Sequence, residues 1–267
     1  MKWSFLTTNY NKCDALDESI PSMLESLPED GELIIVDGGS TDGSIEKLQS
    51  FDDDRIEVIV EKSNLGEGRQ IAMNRCSGDA VVEHLDTDRV YGDLTQYLDL
   101  YETLREEHPN LFLMTLDSVY LTSPEVSHQI GGWPPISRAE ERVYTDRAIT
   151  TEEITPRLYP ESKSQEINTE DVSSIIDRLE KWKYEVRDNI RCGFSLRQII
   201  RFHYHEFSLP KALVADTVGV LGWIEAQGME EYGRDRLSWR EFPSWEYRLA
   251  SDDEIVLDGP ENFGWDK

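Results

Sequence analysis

The chain is short of lysine, cysteine and long apolar runs. Only 9 of its 27 basic residues are lysine, against 54 acidic residues, and the formal net charge is −27. Such a surface repels nucleic acid and bare anionic lipid, so nucleic acid is excluded as a partner. The carboxylates are spread along the whole length, which favours a salt-adapted (halophilic) protein over an ordinary acidic one.

Cysteine usage and hydropathy indicate the compartment. Cys13, Cys76 and Cys192 are odd in number and lack CxxC spacing, so we expect neither a disulfide framework nor a structural zinc site. The chain turns polar directly after Leu6, which predicts no signal peptide, and no apolar run has the length of a transmembrane helix. We therefore expect a cytoplasmic protein, either free or at the inner face of the cell membrane.

Short apolar strands alternate with helical patterns in the first half of the chain. This alternation predicts an α/β fold with a mostly parallel central sheet flanked by helices. The predicted strands are 2–7, 32–37, 56–60, 80–86, 111–116 and 118–121, and the predicted helices are 17–27, 43–50, 66–76 and 92–107.

The composition changes near residue 150. Residues 151–168 are polar and contain Pro156 and Pro160, which predicts a boundary between an α/β domain at 1–150 and a mainly helical extension at 151–267. In the extension we expect a strong helix from about 169, an apolar but interrupted region at 194–226, and an aromatic, acidic tail. The tail contains Trp239, Trp245 and Trp265.

Polar motifs follow each of the first four predicted strands. Because ligands in open α/β sheets bind beyond the carboxyl ends of the strands, we expect these motifs to converge on one site. They are Thr8-Asn9-Tyr10-Asn11-Lys12, Asp37-Gly38-Gly39-Ser40-Thr41-Asp42-Gly43, Asn64-Leu65-Gly66-Glu67-Gly68 and Asp86-Thr87-Asp88.

The residue types suit a metal and a nucleotide. Asp86 and Asp88, one residue apart, can hold Mg²⁺ or Mn²⁺ and, through it, a diphosphate, although they could also simply end a strand. Asp37 can accept hydrogen bonds from a base or a ribose, and the glycines after it allow close approach. The same run could be only a turn and a helix cap.

In order and spacing, these motifs resemble the inverting glycosyltransferases of family 2, which have the GT-A fold. The resemblance covers about residues 3–150. It implies that Thr8, Tyr10 and Asp37 contact the nucleoside of a UDP- or GDP-sugar donor, and that Asp86 and Asp88 meet the ribose, the metal and the diphosphate. The matching residues are Thr8, Tyr10 and Asn11, the block 36–43 with Gly39, the Asn64-x-Gly66 turn with Arg69 and Asn74, and Asp86 with Asp88.

The resemblance also implies a general base downstream of a Gly-Gly turn, where the family has a Glu-Asp motif followed by an arginine. Here Gly131-Gly132-Trp133 precedes Glu140-Glu141 and Arg147, so Glu141 stands where the family has aspartate. Glutamate has a similar pKa and reaches one methylene further, so Glu141 can serve as the base. Glu140 and Asp146 remain alternatives, as does a solvated acidic helix start without catalytic function.

Two features of the later region have alternative interpretations. His203 and His205 could bring a third metal ligand or belong to a packed surface. The region 194–226 could touch a membrane and bring the site near a lipid-linked acceptor, or it could serve core packing or dimerisation.

The sequence thus predicts a metal-dependent hexosyltransferase that moves a sugar from a nucleotide-diphosphate donor to a hydroxyl of a glycan or lipid-linked acceptor with inversion. A nucleotidyltransferase that makes the activated sugar is a second hypothesis, but no Gly-rich, Lys-containing pyrophosphate loop lies near the N-terminus. A degenerate member of the family that only binds a nucleotide sugar or a partner protein is the third.

Overall fold

The computed structural model describes residues 1–159, 162–167, 175–232, 246–251 and 254–258. The chain divides into two compact units, each discontinuous in sequence. The first comprises Met1–Pro135, Tyr144–Glu170 and Tyr247–Leu257, and the second comprises Ile136–Val143, Asp171–Glu246 and Asp258–Lys267.

Strands and helices alternate through most of the first unit. The strands are β1 (Trp3–Asn9), β2 (Glu32–Asp37), β3 (Ile56–Val60), β4 (Ala80–Asp86), β5 (Arg89–Val90), β6 (Leu111–Thr115), β7 (Tyr120–Thr122), β8 (Thr155–Tyr159), β9 (Gln165–Glu166), β10 (Glu246–Ser251) and β11 (Glu254–Asp258). The helices are α1 (Leu16–Ser26), α2 (Ser44–Leu48), α3 (Leu65–Arg75), α4 (Thr95–Glu107), α5 (Pro124–Ile130), α6 (Glu140–Thr150), α7 (Ile175–Arg191), α8 (Leu196–Glu206) and α9 (Leu209–Ala226).

Nine of these strands form one sheet, in the order β10-β11-β8-β6-β7-β4-β1-β2-β3. The pairs β1–β2, β1–β4, β2–β3 and β6–β8 are parallel, whereas β7 runs antiparallel between β4 and β6. The predicted α/β fold with a mostly parallel sheet and helices around it is confirmed.

The central strands are buried on both faces of the sheet. Along β2, Leu33 and Ile35 enter the core that includes residues of α1 and α4, and Ile34 and Val36 enter the core beside α3. Strands covered on both faces read as continuous apolar runs, which is why 32–37 was predicted with its observed bounds. The sheet is therefore a rigid base for the loops at its carboxyl edge.

The polar stretch 151–168 contains the strand β8, which pairs in parallel with β6. Two strands of the C-terminal tail, β10 and β11, belong to the same sheet. The predicted boundary near residue 150 stays a prediction. Residues 169–174 of the predicted helix and the tail residues Trp239, Trp245 and Trp265 lie outside the described residues.

In the second unit, α7, α8 and α9 account for the predicted helix and the apolar region 194–226. The buried residues of α9 are all small, and its backbone approaches that of α7 closely: a Cβ on Gly222 would lie 2.4 Å from the Lys183 carbonyl oxygen. The small residues are Ala212, Ala215, Gly219, Gly222 and Ala226, and the exposed large residues are Leu209, Leu213, Val214, Val220, Leu221, Trp223 and Ile224. In the described part of the chain, no helix combines the length and the hydropathy that a bilayer span requires.

Candidate functional site

The sheet register brings three predicted site residues to one edge. Asn9 is paired with Asp37 across β1 and β2, and Thr8 is paired with Asp86 across β1 and β4. All three strands are parallel, so their carboxyl ends meet at this edge. Tyr10, directly after β1, is 61% exposed and lies against Gly38.

The carboxylate of Asp37 is completely buried and accepts four hydrogen bonds, from Asn9 at the end of β1 and from Gly39 and Ser40 of its own loop. Its Oδ1 accepts from the backbone N–H of Gly39 (2.9 Å) and Ser40 (2.7 Å). Its Oδ2 accepts from the Asn9 amide (2.7 Å) and the Ser40 hydroxyl (2.7 Å). Gly39 has φ of +95°, a conformation that favours glycine. Asp37 therefore determines the shape of the 37–40 loop, and its contact with a nucleoside stays a prediction.

Asn9 and Thr87 connect the loop that begins at Asp37 to the loop that contains Asp86 and Asp88. The Thr87 hydroxyl donates to Asn9 Oδ1 (2.8 Å), and the Asn9 amide donates to Asp37. Both side chains are buried. Neither was among the predicted site residues, because each occupies an inner position of its motif. The register of Asn9 opposite Asp37 is the signal that could have identified it.

Asp86 and Asp88 differ from Asp37 in that both are about one third exposed and each pairs with one cation. Asp86 Oδ1 lies 3.1 Å from the Arg69 guanidinium of α3, and Asp88 Oδ2 lies 2.7 Å from Lys12 Nζ. The second carboxylate oxygen of each accepts no hydrogen bond from the described residues. Each of these two partly exposed carboxylates thus retains one oxygen that can accept from a ligand.

This pair of carboxylates fits a divalent cation only in part. Among the described residues, no three His, Cys, Asp or Glu side chains converge to hold a metal. Mg²⁺, however, commonly binds through one or two carboxylates and takes its remaining ligands from substrate phosphates and water. The donor set therefore suits a cation that binds together with a diphosphate.

A short segment, 162–167, holds the backbone of the Asp86–Asp88 loop. The N–H of Ile167 donates to the Asp88 carbonyl (2.8 Å), and β9 pairs with β5 directly after Asp88. The segment is anchored by Asp117, whose carboxylate accepts hydrogen bonds from the hydroxyls and backbone N–H groups of Ser162 and Ser164. Burial raises the pKa of Asp117, but these hydrogen bonds outweigh it and hold the pKa well below its usual value.

Arg69 contacts both the Asp86–Asp88 loop and the buried ring of Trp133. Its guanidinium lies 5.0 Å from the centre of the Trp133 ring, and the Trp133 indole donates to Glu83 on β4 (2.8 Å). Tyr144 also donates to Glu83 (2.7 Å). Burial raises the pKa of Glu83 to about 7, although both hydrogen bonds partly offset this. The cavity lined by Arg69, Glu83 and Trp133 measures about 10 Å³, which is too small to hold a nucleotide.

The predicted base residues begin α6. Ala139 precedes the helix with φ of +62°, Glu140 is buried and Glu141 is half-buried. Glu140 and Glu141 fall in the second unit, and the assignment of Glu141 as the base stays a prediction. Arg147, further along α6, donates to the carbonyl of Gly132 in the Gly-Gly turn (3.2 Å).

The histidines of α8 differ in exposure. His203 is buried, and its Nδ1 lies 2.8 Å from Asp216 on α9. His205 is exposed. The proposal that either supplies a third metal ligand stays a prediction.

Comparison with known proteins decides the family. The family described as Glycosyl transferase family 2 matches residues 4–167, which is more than half of the chain. The chain belongs to glycosyltransferase family 2. The fold expected for a member of this family, GT-A, agrees with solved structures. A mannosyltransferase from Pyrobaculum calidifontis, PcManGT, solved with GDP-Man and Mn²⁺, has a TM-score of 0.55 at 13% identity, covering 85% of this chain and 87% of its own.

Other relatives match smaller parts of this family 2 glycosyltransferase. TarS 1–349 of S. aureus with UDP has a TM-score of 0.50 at 16% identity, covering 70% of this chain and 64% of its own. TuaG of Bacillus subtilis, named as a candidate teichuronic acid biosynthesis glycosyltransferase, is 36% identical over 89 residues, or 32% of this chain and 35% of its own. An uncharacterized glycosyltransferase of Nostoc is 34% identical over 109 residues, or 39% and 34%. The match thus spans about a third of the length of these curated relatives.

Proposed function

We propose that this glycosyltransferase moves a hexosyl group from a UDP- or GDP-sugar to an acceptor hydroxyl with inversion, using a divalent cation. The observation that carries the proposal is the convergence of Thr8, Asp37 and Asp86 at the carboxyl edge of the sheet, with Asp88 two residues beyond Asp86. TarS has been solved with UDP and with UDP-GlcNAc, and PcManGT with GDP-Man and Mn²⁺, which supports a nucleotide-sugar donor here.

The residues at the edge have distinct proposed functions. Thr8 and the exposed ring of Tyr10 contact the nucleoside, while Asp37 and Gly39 give the adjoining loop its shape and contribute to the same subsite. Asp86 faces the ribose and is oriented by Arg69. Asp88, with Asp86, holds Mn²⁺ or Mg²⁺, which when bound neutralises charge that develops on the departing nucleoside diphosphate.

The acceptor hydroxyl needs a base, and we propose Glu141, with Glu140 and Asp146 as alternatives. The base takes the hydroxyl proton as the acceptor oxygen bonds to the anomeric carbon and the bond from that carbon to the diphosphate breaks. Attack from the face opposite the leaving group inverts the configuration. A carboxylate suits this step because it is ionised at neutral pH.

For the acceptor we propose a glycan or a lipid-linked sugar, with the protein in the cytoplasm or at the inner face of the membrane. The exposed apolar face of α9 supports contact with a lipid surface, because interfacial helices bury one such face. Flotation of the protein with vesicles at high salt, compared with a Leu213→Ser/Leu221→Ser/Ile224→Ser variant, tests this contact. Dimerisation without vesicle binding would contradict it.

A donor-hydrolysis assay with Mn²⁺ tests the main proposal across a panel of UDP- and GDP-sugars. Release of a nucleoside diphosphate supports transfer chemistry, pyrophosphate chemistry supports a nucleotidyltransferase, and binding without turnover supports a degenerate binder. Asp88→Asn is expected to abolish metal-dependent turnover, while Asp99→Asn, an exposed position on α4, makes the same charge change and should retain it. Full turnover by the Asp88 variant would reject the metal assignment.

A further inference from the structure

Lys12 places a cation directly on the carboxylate assigned to the metal. Its Nζ lies 2.7 Å from Asp88 Oδ2, and the two side chains are 33% and 34% exposed. The backbone N–H of Lys12 donates to the Ser44 hydroxyl (3.2 Å), so the start of the side chain is held. The ammonium at its end is carried by a flexible four-carbon stem.

The other cation of the acidic loop is held differently. Arg69 is 5% exposed, and its guanidinium both packs on Trp133 and donates to Asp86. Arg69 is therefore fixed in place, whereas Lys12 can leave its carboxylate without opening the core. Of these two cations, Lys12 is the one that is able to change partner.

A divalent cation and an ammonium group repel each other, so each lowers the affinity of Asp88 Oδ2 for the other. A donor diphosphate brings negative charge to the same place, and lysine is a common phosphate ligand. We propose that Lys12 is a diphosphate-binding residue that exchanges partners: it pairs with Asp88 until a divalent cation takes that carboxylate, and then it binds the diphosphate of the donor. This inference rests on the proposed function.

Partner exchange predicts that two affinities change in opposite directions in Lys12→Met. Without nucleotide, Mn²⁺ should bind the full-length variant about threefold more tightly, because its competitor for Asp88 is gone. With saturating Mn²⁺, UDP or GDP should bind about fivefold more weakly, because a phosphate ligand is lost. Electron paramagnetic resonance of free Mn²⁺ and calorimetric titration with each nucleotide measure the two affinities.

Three further variants make the test specific. Lys47→Met removes a lysine whose bond to Asp17 is also 2.7 Å, away from the acidic loop, and should change neither affinity. Lys12→Arg keeps the positive charge and should therefore bind UDP or GDP about as tightly as wild type. In an Asp88→Asn background, Lys12→Met should no longer tighten Mn²⁺ binding. Lys12→Gln repeats the test with a polar side chain in case methionine disturbs the loop.

Mn²⁺ affinity that is unchanged or weaker in both Lys12→Met and Lys12→Gln overturns partner exchange. Unchanged nucleotide affinity in both overturns the assignment of Lys12 to the diphosphate. If the wild-type protein binds neither UDP nor GDP, the proposed function itself is overturned, which is a different result from normal wild-type binding with an ineffective Lys12 substitution.

Discussion

Asp37 and the pair Asp86 and Asp88 lie at the same edge of one sheet, yet their carboxylates are used in opposite ways. Asp37 is buried and accepts four hydrogen bonds from its own surroundings. Asp86 and Asp88 are about one third exposed and each pairs with one cation. The first carboxylate determines the shape of the site, and the other two retain acceptor oxygens for a ligand.

The difference has an energetic counterpart. Removing the acceptor from a buried network leaves donors without partners, which costs about 1–3 kcal/mol for each. Breaking an exposed ion pair costs about 0–1 kcal/mol. Substitutions of the extensively hydrogen-bonded carboxylates Asp37, Glu83 and Asp117 should therefore act on stability. Substitutions of Asp86 or Asp88 should act on binding and turnover.

The largest effect on stability is expected for Asp37→Ala. The buried Asn9 amide and the N–H of Ser40 lose their acceptor, so the free energy of unfolding should fall by about 3 kcal/mol. Urea denaturation at the salt concentration of greatest stability measures it, with the exposed Asp99→Ala as control. If the free energy of unfolding fell by less than about 1 kcal/mol, Asp37 would contribute no more to stability than Asp86 and Asp88, and the prediction would be wrong.

A pH-dependent effect is expected at Glu83. Its folded pKa is about 7 against an ordinary value of 4.5, so its contribution to stability is fully present below the lower value and is lost as the pH rises through the higher one. Wild type should therefore lose on the order of 2 kcal/mol relative to Glu83→Gln between pH 5 and pH 8. Denaturation of both proteins across this range measures the difference, and a constant difference contradicts the raised pKa.

A smaller effect with the opposite pH dependence is expected for Asp117→Asn. The folded pKa of Asp117 is depressed, so its contribution is present above the ordinary value of 3.8 and is lost as the pH falls below it. The variant should be about 1–2 kcal/mol less stable at pH 7, and the gap should narrow below about pH 4. The same denaturation experiment at pH 7 and pH 3.5 checks this. A gap that widens in acid would contradict the prediction.

The smallest effect on stability is expected for Asp88→Ala. It removes only the partly exposed ion pair with Lys12, so the free energy of unfolding should stay within about 0.5 kcal/mol of wild type. Comparison with Asp37→Ala in one experiment gives the contrast directly. If Asp88→Ala and Asp37→Ala lowered the free energy of unfolding equally, the distinction between a shape-determining and a ligand-binding carboxylate would be wrong.

The sequence predicted the central strands well because their apolar runs are bounded by polar loops. The ranges 32–37, 56–60 and 80–86 match β2, β3 and β4. It did not predict β8, whose residues Thr-Pro-Arg-Leu-Tyr lack an apolar run and contain a proline. This strand depends on pairing with β6, about 40 residues earlier, and no local pattern reports such pairing.

The convergence of side chains at one sheet edge was predicted for residues that belong to a recognisable motif. Thr8, Asp37 and Asp86 meet at one edge because strand ends in a parallel sheet must do so. Asn9, Thr87 and Lys12 lie in the predicted motifs but were given no individual function, because their contacts depend on the direction of a side chain within a loop. The buried state of Asp37 was equally beyond prediction, since it depends on the folded path of residues 38–40.

The four hydrogen bonds on Asp37 also affect the entropy of ligand binding. Because they hold the 37–40 loop in one conformation, the loop loses its freedom when the chain folds and not when a ligand arrives. Preorganisation of this kind lowers the cost of association and raises affinity without any added contact. The 37–40 loop, where we propose that the nucleoside binds, should therefore act as a rigid surface, while adjustment is confined to the side where Lys12 meets Asp88.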